Sequence, residues 1–135
     1  MKEEFDKIEL ETRRLLNEAE IRRVVNFDNL PDLAIAVRVG TGEIMAASDE
    51  WKGKLKIDNR LMVGYPFIQF VAEQDKERTW NLFIGIETSE PKKEIHGDYD
   101  FKNHYLNSEG KPVELAWKSR LTKNGKYVIA TARIV

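Results

Sequence analysis

The last third of the chain, residues 98–135, constrains the fold most, because there apolar and polar residues alternate with a period of two around two glycine turns. Tyr99, Phe101 and Tyr105 alternate with polar neighbours, Val113, Leu115, Trp117 and Leu121 repeat the pattern, and Tyr127 to Val135 completes it. That period belongs to strands with one buried face, so three strands are predicted. Ser108-Glu109-Gly110-Lys111-Pro112 and Lys123-Asn124-Gly125-Lys126 place glycine where φ must be positive, and Asn-Gly is a strong short-range hairpin signal. Three such strands leave an apolar face that helices elsewhere in the chain must cover.

A second hairpin is predicted earlier. Leu33, Ile35, Val37 and Val39 alternate with Ala34, Ala36 and Arg38, Gly40-Thr41-Gly42 turns the chain, and residues 43–47 return. Residues 2–26 read as a charged amphipathic helix in which Phe5, Ile8, Thr12, Leu15 and Ala19 form a seam, with Leu16 beside it. Glu9 with Arg13, and Glu18 with Arg22, stand one helical turn apart in the favourable orientation. Pro31 ends this region. Residues 48–75 lose strict periodicity and read as short helices and turns, with Ser48 capping the one that carries Trp51 and Leu55. Asp75 offers the N-cap of a longer helix, which Trp80, Leu82, Phe83, Ile84 and Ile86 make apolar around most of its girth; Ser89-Glu90-Pro91 stops it. The expected fold is α+β: a five-stranded antiparallel sheet of two strands, a helical block and three strands, with helices on one face and an N-terminal flanking helix.

At 135 residues the chain has the length of one domain. Basic and acidic side chains nearly balance, 22 against 23, and no basic cluster stands out, which argues against nucleic acid as a partner. The absence of cysteine removes disulfides, thiolate metal sites and any cysteinyl cofactor adduct. The first residues lack a basic start followed by an apolar core, and no run approaches the about 20 apolar residues of a membrane span. No membrane is therefore expected, and the domain reads as cytoplasmic. No nucleophile elbow, zinc-protease helix, dinucleotide fingerprint or phosphate loop occurs, so no catalytic residue is assigned. His96 and His104 have Asp98 and Asp100 near them in sequence, but a zinc site wants three or four converging ligands, and no metal is expected.

Several segments follow one another in a particular order: Ser48-Asp49-Glu50-Trp51; Leu61-Met62-Val63-Gly64-Tyr65-Pro66-Phe67; and Phe70-Val71-Ala72-Glu73-Gln74-Asp75, followed by Glu77-Arg78-Thr79. Phe101-Lys102-Asn103-His104-Tyr105 then runs through Glu109-Gly110 and Ala116-Trp117 to Ala130-Thr131-Ala132-Arg133. In order and spacing these segments resemble the PAS family, from about Leu30 to the end. Ser48 stands where that family usually has asparagine, and Ala72-Glu73 where it has His-Pro. The resemblance divides the chain into a flanking and dimerisation helix at 1–28 and a PAS-like domain at 29–135. It implies a homodimeric sensory and protein-interaction module of signal transduction, as in two-component systems. Such a module relays its signal to a partner protein or to an output domain, a histidine kinase or diguanylate cyclase for example, outside this chain. The family's photoactive flavin subclass needs a cysteine, and its haem subclass most often a histidine on the long helix; Arg78 to Glu87 holds none, so covalent flavin and haem are disfavoured and the cofactor stays unassigned.

Trp51, Phe67, Phe70, Trp80, Phe83, Tyr99, Phe101 and Trp117 can converge between helices and sheet. Large aromatics serve first as core. The sharper expectation is a cavity for a planar or apolar ligand, centred on Trp117 and oriented by Asn103, Ser119 or Tyr105. On the opposite face Ala34, Ala36, Ala116, Ala130 and Ala132 let a helix approach, so the first helix, its own or a partner's, is expected there. Phe5, Ile8, Leu15, Ala19, Ala34 and Ala36 then form the dimer interface. Two alternatives remain: a constitutive dimerisation and assembly domain without ligand, and a small α+β enzyme with a polar pocket.

Overall fold

The structure is a computed structural model that describes residues 2–30, 32–88 and 101–135, the side chains of residues 2–5 and 28 excepted. In chain order the elements are α1 (Lys2–Arg22), β1 (Leu33–Arg38), β2 (Ile44–Ala47), α2 (Glu50–Lys54), α3 (Lys76–Glu87), β3 (Phe101–Leu106), β4 (Pro112–Leu121) and β5 (Tyr127–Ile134). Short 3-10 turns at Phe27–Asn29, Asn59–Leu61, Phe67–Phe70 and Glu73–Asp75 fill the connections. The five strands form one antiparallel sheet in the order β2-β1-β5-β4-β3, so the two hairpins meet through the first and last strands.

The register sorts the strand residues onto two faces. Leu33, Ile35 and Val37 pair with Ala132, Ala130 and Val128. This inner face packs with Trp51, Leu55, Met62, Phe67, Val71 and Phe83 into the main core under α2 and α3. Ala34 and Ala36 pair with Thr131 and Ile129 on the outer face, where Ile21, Val25 and Phe27 cover them in a second core. A bulge opposite Ala36 and Val37 turns Met45 into that outer cluster, which strict alternation along β2 does not anticipate. Both sheet edges are covered: beside β2 the Ile44 N–H donates to the Tyr65 carbonyl at 2.9 Å and the Gly64 N–H to the Ile44 carbonyl at 2.8 Å, and beside β3 the Ala72 N–H donates to the His104 carbonyl at 2.8 Å. Gly42, with φ +71°, leaves no room for a side chain, since a Cβ there would sit 3.0 Å from the Phe67 ring.

Several expectations change. The first helix ends at Arg22, not at residue 26. Its seam does not face the sheet: Ile8 and Leu15 are 65% and 54% exposed, Thr12 and Ala19 are exposed too, and Asn17 and Ile21 are the buried residues. The reason is electrostatic as well as apolar. Arg13 binds Glu43 at 2.6 Å, Asn17 donates to the same carboxylate at 3.3 Å, and Glu20 accepts from the Tyr127 hydroxyl and pairs with Arg38. Arg13 thus leaves Glu9 for the sheet, and Glu18 pairs with Arg14. Ala34 and Ala36 are fully buried by this chain's own residues, so they are not surface available to a second copy. Ala130 and Ala132 lie on the inner face, because they pair with Ile35 and Leu33. Ile84 of α3 faces solvent and Leu82 is only partly covered; Thr79 and Phe83 are its buried residues. The Ser48 hydroxyl does not cap α2 but accepts from the Ala34 N–H at 2.9 Å, anchoring the start of β1. The Phe5 side chain, Tyr99, His96, Asp98, Asp100 and the Ser89-Glu90-Pro91 stop lie outside the described residues.

Ile21→Ala should destabilise the protein by about 2 to 5 kcal/mol, while Leu15→Ala in dilute solution should stay within about 0.5 kcal/mol. Urea unfolding of the two variants checks which face of α1 the domain uses.

Candidate ligand cavity

α3 lies across the inner face of the sheet and leaves beneath it a cavity of about 50 Å³. The sheet provides Ile35, Val37, Val128 and Ala130; α3 provides Thr79, Leu82, Phe83 and Ile86. Of the residues expected to line a pocket, Phe67, Phe83, Phe101, Asn103, Trp117 and Ser119 do so, with Tyr105. Trp51 does not: it is solid core, its indole N–H donates to the Ala34 carbonyl at 3.0 Å, and its ring packs 5.3 Å from Tyr105 and 6.2 Å from Trp117. Trp80 stacks behind the wall, 6.0 Å from Phe67 and 5.4 Å from Phe83. Phe70 is half-buried at the edge of the main core and does not line the cavity. Tyr99 lies outside the described residues.

One polar side chain is held in place inside this apolar chamber. The Trp117 indole N–H donates to the Asn103 amide oxygen at 2.7 Å, and the Asn103 amide nitrogen donates to the Thr79 hydroxyl at 3.2 Å. An indole N–H can only donate, so the amide's orientation is fixed. Among the described residues Asn103 uses one of its two N–H groups, which leaves capacity for a bound molecule. Thr79 carries no aromatic or alternation signal toward a site, its place one helical turn after Asp75 being the hint that sequence offers; Val128 falls in the period-two run at residues 127–135 without standing out from it.

The start of α3 is fastened to β3 beside this cavity. Asp75 is buried, but its carboxylate makes no cap bond. It accepts instead from the His104 backbone N–H at 2.7 Å, meets the His104 Nδ1 at 2.8 Å, and accepts from Arg78 at 3.2 Å. Burial pushes the Asp75 carboxyl up, yet the His104 imidazole, the His104 N–H and the Arg78 guanidinium outweigh it and hold it below the usual carboxylate range. At the other end of α3, Glu87 accepts from the Gly40 N–H at 2.6 Å. Burial pushes the Tyr105 hydroxyl up, so this lining residue stays neutral. Among the described residues the cavity lining carries no charged side chain, no group of three or more His, Asp or Glu could hold a metal, and no helix is long and apolar enough to cross a membrane.

A five-stranded antiparallel sheet in this order, with short helices and one longer helix over its inner face, is the PAS fold. Solved PAS domains superpose on the chain. One is the PAS domain of an HTR-like protein from Haloarcula marismortui, at a TM-score of 0.62 and 18% identity over 90% of this chain and 96% of that one. A second is the PAS-B domain of Drosophila melanogaster Cycle, solved with bound ethylene glycol, at 0.63 and 13% over 76% and 99%. A third is a PAS domain from Desulfitobacterium hafniense, at 0.63 and 12% over 82% and 98%. The chain matches no protein-family model and no curated protein.

Asp75→Asn should cost about 1 to 3 kcal/mol at neutral pH. Because the folded-state carboxyl titrates below its unfolded value, its contribution is present above about pH 4 and is lost as the pH falls through the lowered value. Urea unfolding at a series of pH values should therefore show the gap between wild type and variant closing on acidification.

Proposed function

We propose that this chain is a PAS-type sensory and interaction module that binds a small neutral molecule beneath α3 and passes the signal on through α1 as a homodimer. The observation that carries the reading is the buried Asn103 amide, held by Trp117 and Thr79 with bonding capacity left over, inside an otherwise apolar cavity. The volume sets the class of ligand. Drug-sized ligands occupy about 300 to 1,000 Å³, whereas about 10 to 15 Å³ holds one water. The cavity of about 50 Å³ thus suits a molecule of a few heavy atoms with a hydroxyl or carbonyl, not a flavin or a haem. Its walls offer no charge among the described residues, which supports binding of an uncharged molecule over turnover by an acid or base.

The exposed seam of α1, with Ile8 and Leu15, supports the dimer: an apolar stripe at this spacing on an otherwise charged helix is covered economically by a copy of itself. On this reading α1 is the flanking element and residues 29–135 are the sensing unit. A histidine kinase, a diguanylate cyclase or a separate partner would read the dimer. The smallness of the cavity supports one other reading, an assembly domain without ligand.

Addition of ethylene glycol should move the NMR signals of the Trp117 indole and the Asn103 amide, while acetate at equal concentration should not. No movement with the neutral probe would leave the assembly reading in place of the sensor. Leu15→Glu should convert a dimer to a folded monomer in light scattering, and a wild-type monomer at millimolar concentration would refute the dimer.

A further inference from the structure

We propose that the His104–Asp75 pair is a proton-sensitive latch through which the state of the cavity and the pH act on each other. The identity of any occupant rests on the cavity reading above, whereas the coupling belongs to the chain itself. His104 is 34% exposed on its side chain, so solvent protons reach it. Asp75 Oδ2, in the turn before α3, lies 2.8 Å from its Nδ1, and Glu114 Oε2, on β4, lies 3.8 Å from its Nε2. Arg78 of α3 holds the other Asp75 oxygen at 3.2 Å, and Lys102 stands two residues along the same face of β3.

Two routes lead from this imidazole to the cavity wall. Along the backbone, His104 lies between Asn103 and Tyr105, both of which line the cavity. Through Asp75, the route continues to Arg78, whose guanidinium sits 4.8 Å over the ring of Phe101, another lining residue. α3 is tied at both ends, by Asp75 on His104 and by Glu87 on the Gly40 N–H, so a change in the His104–Asp75 contact acts on its first turn. A neutral imidazole donating to Asp75 makes an ordinary hydrogen bond. An imidazolium makes a charge-assisted one and adds attraction to Glu114. Protonation therefore draws the first turn of α3 onto β3. Extra volume in the cavity pushes that turn away, and by reciprocity it lowers the proton affinity of His104.

The test needs no ligand. The His104 imidazole is titrated by NMR between about pH 5 and 8 in wild type, Ala130→Val and Ser119→Leu, with the other histidine, His96, as reference. The two cavity-filling substitutions differ in bulk, so one remains if the other perturbs the fold. The expected result is a His104 midpoint lower by about 0.7 pH unit, a fivefold change in proton affinity at the low end of allosteric couplings, and loss of that difference in an Asp75→Asn background. An unchanged midpoint in the folded variants, or the same shift without Asp75, overturns the proposal. Failure of ethylene glycol to bind would refute the ligand reading and leave this result intact.

Discussion

The structure depends on one strand pairing. β1 and β5 come from opposite ends of the fold, and their six residue pairs, Leu33 to Arg38 against Ala132 to Tyr127, turn two hairpins into a single sheet. Closing so long a loop costs entropy that only extensive burial offsets. The pairing supplies it on both sides. One set of side chains faces α2 and α3, the alternate set faces α1, and a slip of one residue would exchange the two cores.

The same pairing explains why a cavity survives. Ala130 and Ser119 lie side by side on the inner face, where the neighbouring rows carry Trp117, Ala132, Val128 and Leu121. Two small residues under the middle of α3 leave a gap that Phe83 from the helix and Phe67 from the turn do not fill. α3 cannot settle into the gap, because carboxylates fix it at both ends, Asp75 on His104 and Glu87 on Gly40. The void is thus a consequence of where the helix is tied.

Much of this was legible in the residues. The period-two runs, Asn124-Gly125 and the helical block between hairpins give the sheet, and the aromatics near Trp117 give the inner core. Other features depend on partners that pattern cannot show. Asp75 has the local signature of a cap, but a strand amide and an imidazole 29 residues away compete for its carboxylate more strongly. The seam of α1 is the more regular apolar stripe, yet the sheet takes Asn17 and Ile21, because Glu43, Arg38 and Tyr127 offer charged and hydroxyl partners to the other side of the helix. Alanine carries no mark of which face it will occupy, so Ala34 and Ala36 separate from Ala130 and Ala132 into the two cores only once the β1–β5 register is known.

The space between α3 and the sheet is a void of about 50 Å³ beside Asn103. A crystal pressurised with xenon tests it directly, since xenon enters dry apolar cavities and avoids filled cores. The expected result is a xenon peak bounded by Phe83, Trp117 and Ala130 with the Trp117–Asn103 hydrogen bond intact. A closed interior with α3 packed onto Ala130 and Ser119, and no xenon there, would contradict it.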